Sequence, residues 1–317
     1  MSATASPTAA RSRLLGVLRV VAIVTALVAA AIFLVRWSSQ HRDLLDAVAH
    51  RTRWDLLLLA SALWCATFAV LVIAWGRSMR WWGARLRDFA ALRMFFLANV
   101  ARYIPGAVWQ FAGIEAMAGA RGVPRLAATT GFLIQQVVLL ATGLLWAAAL
   151  LPSALAGSGG VRGATILAVA LVLGLVLATV AAPKLVPLVG RIAERRLGRT
   201  VTLPTPPPRE LALFAIVHAL GWIGYGVSFW MFGVATLGPD APGLVLALGA
   251  YISSYVVGIL AVFAPGGLVV RETALVAALG PAIGVDRALL LAVASRVWLV
   301  AMELIGAALL APFGGDG

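Results

Sequence analysis

Charge is what this chain has least of. Charged residues fill 12% of its 317 positions against 62% for apolar ones, well outside the balance of a soluble domain. Its one cysteine, Cys65, lies inside an apolar run, which excludes an intramolecular disulfide and a cysteine metal cluster. Lysine occurs once, at Lys184, so the net charge of +13 rests on arginine. No GxxxxGK(S/T) loop, HExxH pair or GxSxG elbow is present, and no polar stretch is long enough to hold a nucleotide site. ATP-driven pumping, a metal centre, a bound cofactor and an acid, base and nucleophile set are therefore not expected, and the chain is not read as an enzyme.

What remains is apolar sequence in long runs. Runs near the roughly 20 residues that a helix needs to cross about 30 Å of hydrocarbon predict an all-α, polytopic helical membrane protein. Alternation of the kind that marks a barrel is missing. Six full spans are expected at residues 14–36, 54–76, 125–151, 162–182, 211–237 and 287–311. The apolar core of the first is too long for a signal peptide, so it reads as a retained span. Segments 83–120 and 243–281 fit less simply, because each carries a Pro-Gly near its middle, at Pro105-Gly106 and Pro265-Gly266-Gly267. The arm after each break runs about 14 residues, or about 21 Å, and stops short of the far side.

Arginines lie between the apolar runs rather than on one soluble face, so they report topology before any nucleic-acid partner. The N-terminal tail, the joint from Arg77 to Arg93 and the joint from Lys184 to Arg209 are strongly basic and read as cytoplasmic. Joints 152–161 and 238–242 are nearly bare of positive charge and read as external. These sides alternate correctly only if 83–120 enters and leaves on the cytoplasmic side, as a re-entrant hairpin. Arg36, Arg42, Arg51 and Arg53 then fall outside, which sits poorly with the rule although Asp43 and Asp46 accompany them.

The two broken segments resemble each other. Pro105-Gly106 aligns with Pro265-Gly266, "GIE" ending at Glu115 with "VRE" ending at Glu272, and Gln135 falls at the place of Arg296. Each half reads span, hairpin, span, and the halves begin on opposite sides, giving an inverted-topology repeat. The expected organisation is a tail, first span and loop in 1–53, a first half in 54–182, a basic linker in 183–210 and a second half in 211–312. An alternative stays open, in which 243–264 crosses fully and the C-terminus lies outside.

Proline presets φ and glycine accepts positive φ, so two half-helices can meet tip to tip at such a break. Backbone groups left there are tolerated only where they are buried in protein or face a wet cavity. The arm that follows presents a helix N-terminus, which favours an anion, and Arg271 lies about one turn on. Arg102, Glu115, Arg271, Glu272, Arg296 and Glu303 are the ionisable groups at depth, where a charge costs about 2.5–3.5 kcal/mol and needs a partner or water. Arg296 and Glu303 share one helix face, two turns apart, as an ion pair or a site. Gln110, Gln135 and Gln136 could bond a headgroup or each other. His218 reads as a packing residue, and "GWIGYG" at 221–226 as close helix contact. One broken segment alone reads as a structural kink; two in inverted halves read as transport.

"RYIPGAVWQ" at 102–110 with Glu115, and "APGGLVVRETALVAALG" at 264–280 with "VDRALLLAVASRVW" after it, resemble the lysylphosphatidylglycerol synthase transmembrane, or flippase-like, family of bacterial membrane proteins. The resemblance covers about residues 54–311 and departs from the family pattern at Thr273. It implies movement of an anionic phospholipid or a polyprenyl-phosphate-linked glycolipid between leaflets of the bacterial inner membrane, without a cofactor. The aminoacyltransferase domain of the namesake proteins has no counterpart here, so synthase activity is not carried over. The residues that match are Pro105, Gly106 and Glu115 in the first motif, and Pro265, Gly266, Gly267, Arg271, Glu272 and then Arg296 in the second. With Arg102 and Gln110 they form the expected lipid-binding set. A rival expectation is a non-catalytic membrane partner of a glycosyltransferase or lipid synthase, docked through the basic linker.

Overall fold

The computed structural model describes residues 51–101, 109–155, 206–261, 264 and 267–312, with isolated positions between 36 and 50. Met1–Arg51 form one compact unit and Thr52–Gly317 another. In the first, Arg36, Ser39, Gln40, Arg42, Asp46, His50 and Arg51 are described and all are helical. The spans expected at 14–36 and 162–182, most of the linker 183–210, and Arg102, Pro105, Gly106, Pro265 and Gly266 lie outside the described residues.

Every regular element among the described residues is a helix. In the second unit α1 is Trp54–Ser78, prolonged by a 3-10 turn at Met79–Trp82, and α2 is Asp88–Ala101, α3 Trp109–Gly119 and α4 Arg125–Leu155. Then come α5 at Pro208–Leu237, α6 at Leu244–Leu260, α7 at Val270–Ile283 and α8 at Val285–Leu310. Local sequence explains the joints. Pro208 opens α5 at a position where its missing N–H costs nothing, and Gly83 and Gly284 turn the chain at φ 73° and 85°.

Four of these helices are long and apolar enough to cross a bilayer: α1 with its extension, α4, α5 and α8. The other four are shorter, at 14, 11, 17 and 14 residues for α2, α3, α6 and α7. At 1.5 Å per residue they reach about 17 to 26 Å, less than the hydrocarbon thickness. The order is therefore long, short, short, long, stated twice.

The long helices α1 and α5 lie antiparallel along their whole length. At one end the Arg53 N–H donates to the Ala235 carbonyl at 2.9 Å, further along the Ser228 hydroxyl donates to the Ala60 carbonyl at 2.6 Å, and at the other end the Trp81 indole donates to Glu210. Glycines make this approach possible: a Cβ at Gly221 would collide with Leu71, and one at Gly224 with Thr67.

The end of α1 lies beside the start of α4, where Gly131 packs against Met79 and Trp82. Likewise the end of α5 lies beside the start of α8, joined by an Asp240–Arg287 ion pair at 3.1 Å. Each pair of short helices thus leaves and returns at one end of its own half. Because α1 and α5 run in opposite directions, those two ends are opposite. The halves also exchange partners: α2 packs on α8, and α6 on α4. Arg93 of α2 donates to the carbonyls of Leu310 and Ala311 at 3.2 and 3.3 Å, closing the C-terminus of α8.

Candidate functional site

Where the short helices of both halves meet the middles of the long ones, the packing leaves a cavity of about 70 Å³. Trp64, Phe68 and Leu71 of α1 and Leu299 of α8 give it apolar walls. Asn99 near the end of α2, Gln110 at the start of α3 and Gln135 with Gln136 in α4 give it amides. The Gln110 amide donates to Asn99 at 2.7 Å, tying the two ends of the first broken segment together. Gln135 is 6% exposed and its Oε1 has no hydrogen-bond partner among the described residues. Glu303 of α8, 1% exposed, brings a carboxyl to the same space. That space has room for water or a small ion.

The second broken segment supplies the cation. Arg271, in the first turn of α7, is 4% exposed. Its guanidinium carbon sits 5.0 Å from the ring centroids of both Tyr251 and Tyr255, one turn apart on α6. Two aromatic faces offset part of the desolvation of a buried guanidinium, each by up to about 2 kcal/mol in so dry a place. Its Nη2 still lacks a hydrogen-bond partner. Both tyrosines line the cavity, so the cation stands directly behind its wall.

Other expected residues are sorted differently. Glu272 and Arg296 face each other between α7 and α8, with Glu272 Oε1 3.7 Å from Arg296 Nε and both side chains nearly buried. Arg296 therefore pairs across helices with Glu272, and Glu303, two turns along α8, belongs to the cavity. Gly267 is buried with φ 67°, its N–H donates to the Ala264 carbonyl at 3.0 Å, and a Cβ there would meet the Gly258 Cα at 2.9 Å. Its part is close packing of α7 on α6, not an open N–H for a ligand. Glu115 lies half-buried on α3, away from the cavity lining. His218 is fully buried with Nδ1 2.7 Å from the Phe214 carbonyl, also off the cavity.

The tyrosines were not anticipated. The chain has four, and three of them, Tyr225, Tyr251 and Tyr255, line this one space, a concentration that chance packing does not explain. The available signal was the spacing of Tyr251 and Tyr255, four apart on a helix otherwise apolar, which puts both rings on one face.

A second recess, open and about 520 Å³, runs along the outside of α1 and α5. Val70, Ile73, Leu213 and Val217 form its apolar floor, and Arg77, Arg80, Trp81 and Glu210 stand at one end. Arg77 holds Asp88 at 2.8 Å.

Long apolar helices, short paired ones and an internal polar cavity define the class as a helical membrane protein. No family profile, no curated protein and no solved structure matches the chain.

Proposed function

We propose that the chain is a translocator that carries an anionic lipid between leaflets of a cell membrane, and that α2–α3 and α6–α7 are re-entrant hairpins entering from opposite faces. The observation that carries this reading is Arg271, a buried cation lying against two tyrosine rings at the wall of a polar cavity. A buried guanidinium with an unused donor is costly unless an anion visits it. Support for the hairpins comes from the lengths of the four short helices and from the way each pair departs and returns at one end of its half. The outer recess fits the same reading: an acyl chain suits its floor and a phosphate suits Arg77 and Arg80.

The cavity is small beside a lipid headgroup, so in this reading a headgroup enters it as the halves rock apart. Resemblance to the flippase-like family makes an anionic phospholipid or a polyprenyl-phosphate-linked glycolipid the substrate class, with the bacterial inner membrane as the site. The test uses purified protein in vesicles with fluorescent lipid and a leaflet-specific quencher. Arg271→Ala is expected to cut translocation at least about tenfold, and Arg271→Lys to restore little of it, because an ammonium keeps the charge but not the guanidinium's planar, multi-donor fork. Unchanged translocation in a folded Arg271→Ala protein overturns the assignment.

A further inference from the structure

Arg271 accounts for one sign of charge at this cavity, and the opposite sign needs its own account. Glu303 and Gln135 Oε1 present oxygen acceptors to the same 70 Å³, one of them buried and without a donor. The Gln110 amide is engaged with Asn99, whose oxygen is thereby used. An unanswered buried carbonyl beside a carboxyl asks for a donor or a cation, not an anion.

We propose that the cavity binds one monovalent cation between Glu303 and Gln135, either Na⁺ or a proton carried on Glu303, and that its binding is coupled to that of the anion at Arg271. Stoichiometry follows from charge. One carboxyl lines the space, and among the described residues no group of three His, Cys, Asp or Glu side chains converges anywhere, whereas divalent ions are usually held by several charged oxygens.

Coupling follows from the same geometry. Glu303 lines the same cavity as Tyr251 and Tyr255, and Arg271 lies against both of those rings. With Glu303 ionised, its charge cancels the field of Arg271 and an arriving phosphate finds no net attraction. A cation on Glu303 cancels the carboxylate instead and leaves Arg271 to act on the anion. Each ligand then favours the other by the same factor.

Among the described residues, these groups share the cavity with Glu303. From α5 and α6 they are Tyr225, Tyr251 and Tyr255, with Arg271 of α7 behind. From α2, α3 and α4 they are the neutral amides, and α1 adds Trp64 among apolar side chains. Arg296 on α8 itself is engaged with Glu272 of α7.

The inference rests on reading this cavity as the transport site, but its test needs no transport. The full chain in nanodiscs is heated in choline chloride, with Na⁺ replacing choline at pH 8 and, separately, with pH lowered to 5.5 in choline. A melting temperature that rises with Na⁺ identifies the metal ion; a rise with acid alone identifies the proton. Either response is expected to vanish in Glu303→Gln, which keeps the shape and loses the charge. Gln135→Leu is expected to weaken a Na⁺ response at least about tenfold in apparent affinity and to leave a proton response in place. No response in the wild type, or the same response in Glu303→Gln, overturns the proposal. Should Glu303→Gln not fold, a Na⁺ response unaltered by Gln135→Leu, or an acid response abolished by it, overturns it instead. An ion response without lipid movement removes the translocator and keeps the cation site; lipid movement without an ion response does the reverse.

Discussion

Among the described residues Val269 is the one non-glycine with positive φ, at 70°. A β-branched side chain there costs about 1–3 kcal/mol, and it stands at the root of the helix that carries Arg271. Val269→Gly should relieve that strain and, after the extra chain entropy of glycine, stabilise the protein by about 1 kcal/mol. Thermal unfolding in detergent, followed by tryptophan fluorescence, checks the direction. A slower translocation rate alongside the higher melting temperature would place the strain in the working cycle. At this scale the sequence made Arg271 legible because an ionisable group in an apolar run demands an explanation. Its partners were hidden, because a tyrosine in such a run is ordinarily packing. Glu272 and Arg296 were both read as ligand-facing; the structure brings them within 3.7 Å of each other, and nothing in the spacing within one helix reveals a partner on another.

At the scale of elements, the four short helices were foreseeable from Pro-Gly breaks and from arm lengths that fall short of a crossing. Segment 83–120 resolves into α2 and α3, and segment 243–281 into α6 and α7. The run "GWIGYG" was read as close contact, and Gly221, Gly224 and Gly226 do face Leu71, Thr67 and Leu248. Which neighbours those would be could not be read, because the contact depends on how separate helices are turned, 150 positions apart for Gly221 and Leu71. Gly224→Leu drives a side chain into Thr67 and should destabilise the protein by about 1–3 kcal/mol, seen as a lower melting temperature. Gly243→Ala is the control: nothing lies within 4 Å of its Cβ position and its φ of −60° suits any residue, so the melting temperature should hold.

For the molecule as a whole, the all-helical, membrane-spanning character was legible from the long apolar runs. The exchange of partners, α2 on α8 and α6 on α4, was not, since charge bias carries no information about which helix touches which. The antiparallel run of α1 against α5 makes a direct prediction. In a Cys65→Ser background, a cysteine replacing Arg85, just after α1, should react with an impermeant maleimide from one face of the membrane. One replacing Pro239, just after α5, should react from the other. Both positions are exposed, so reaction of the two from the same face would exclude an inverted pair.

Swapped partners also bear on energetics. If rocking one half past the other trades one set of contacts for its mirror counterpart, the inward-open and outward-open forms are nearly degenerate, and neither is favoured by bulk packing. What breaks the tie is the small part of the chain that is not duplicated: the caged arginine on one side, the linked amides on the other. A molecule poised on so level a balance needs only the differential affinity of its cargo to tip it.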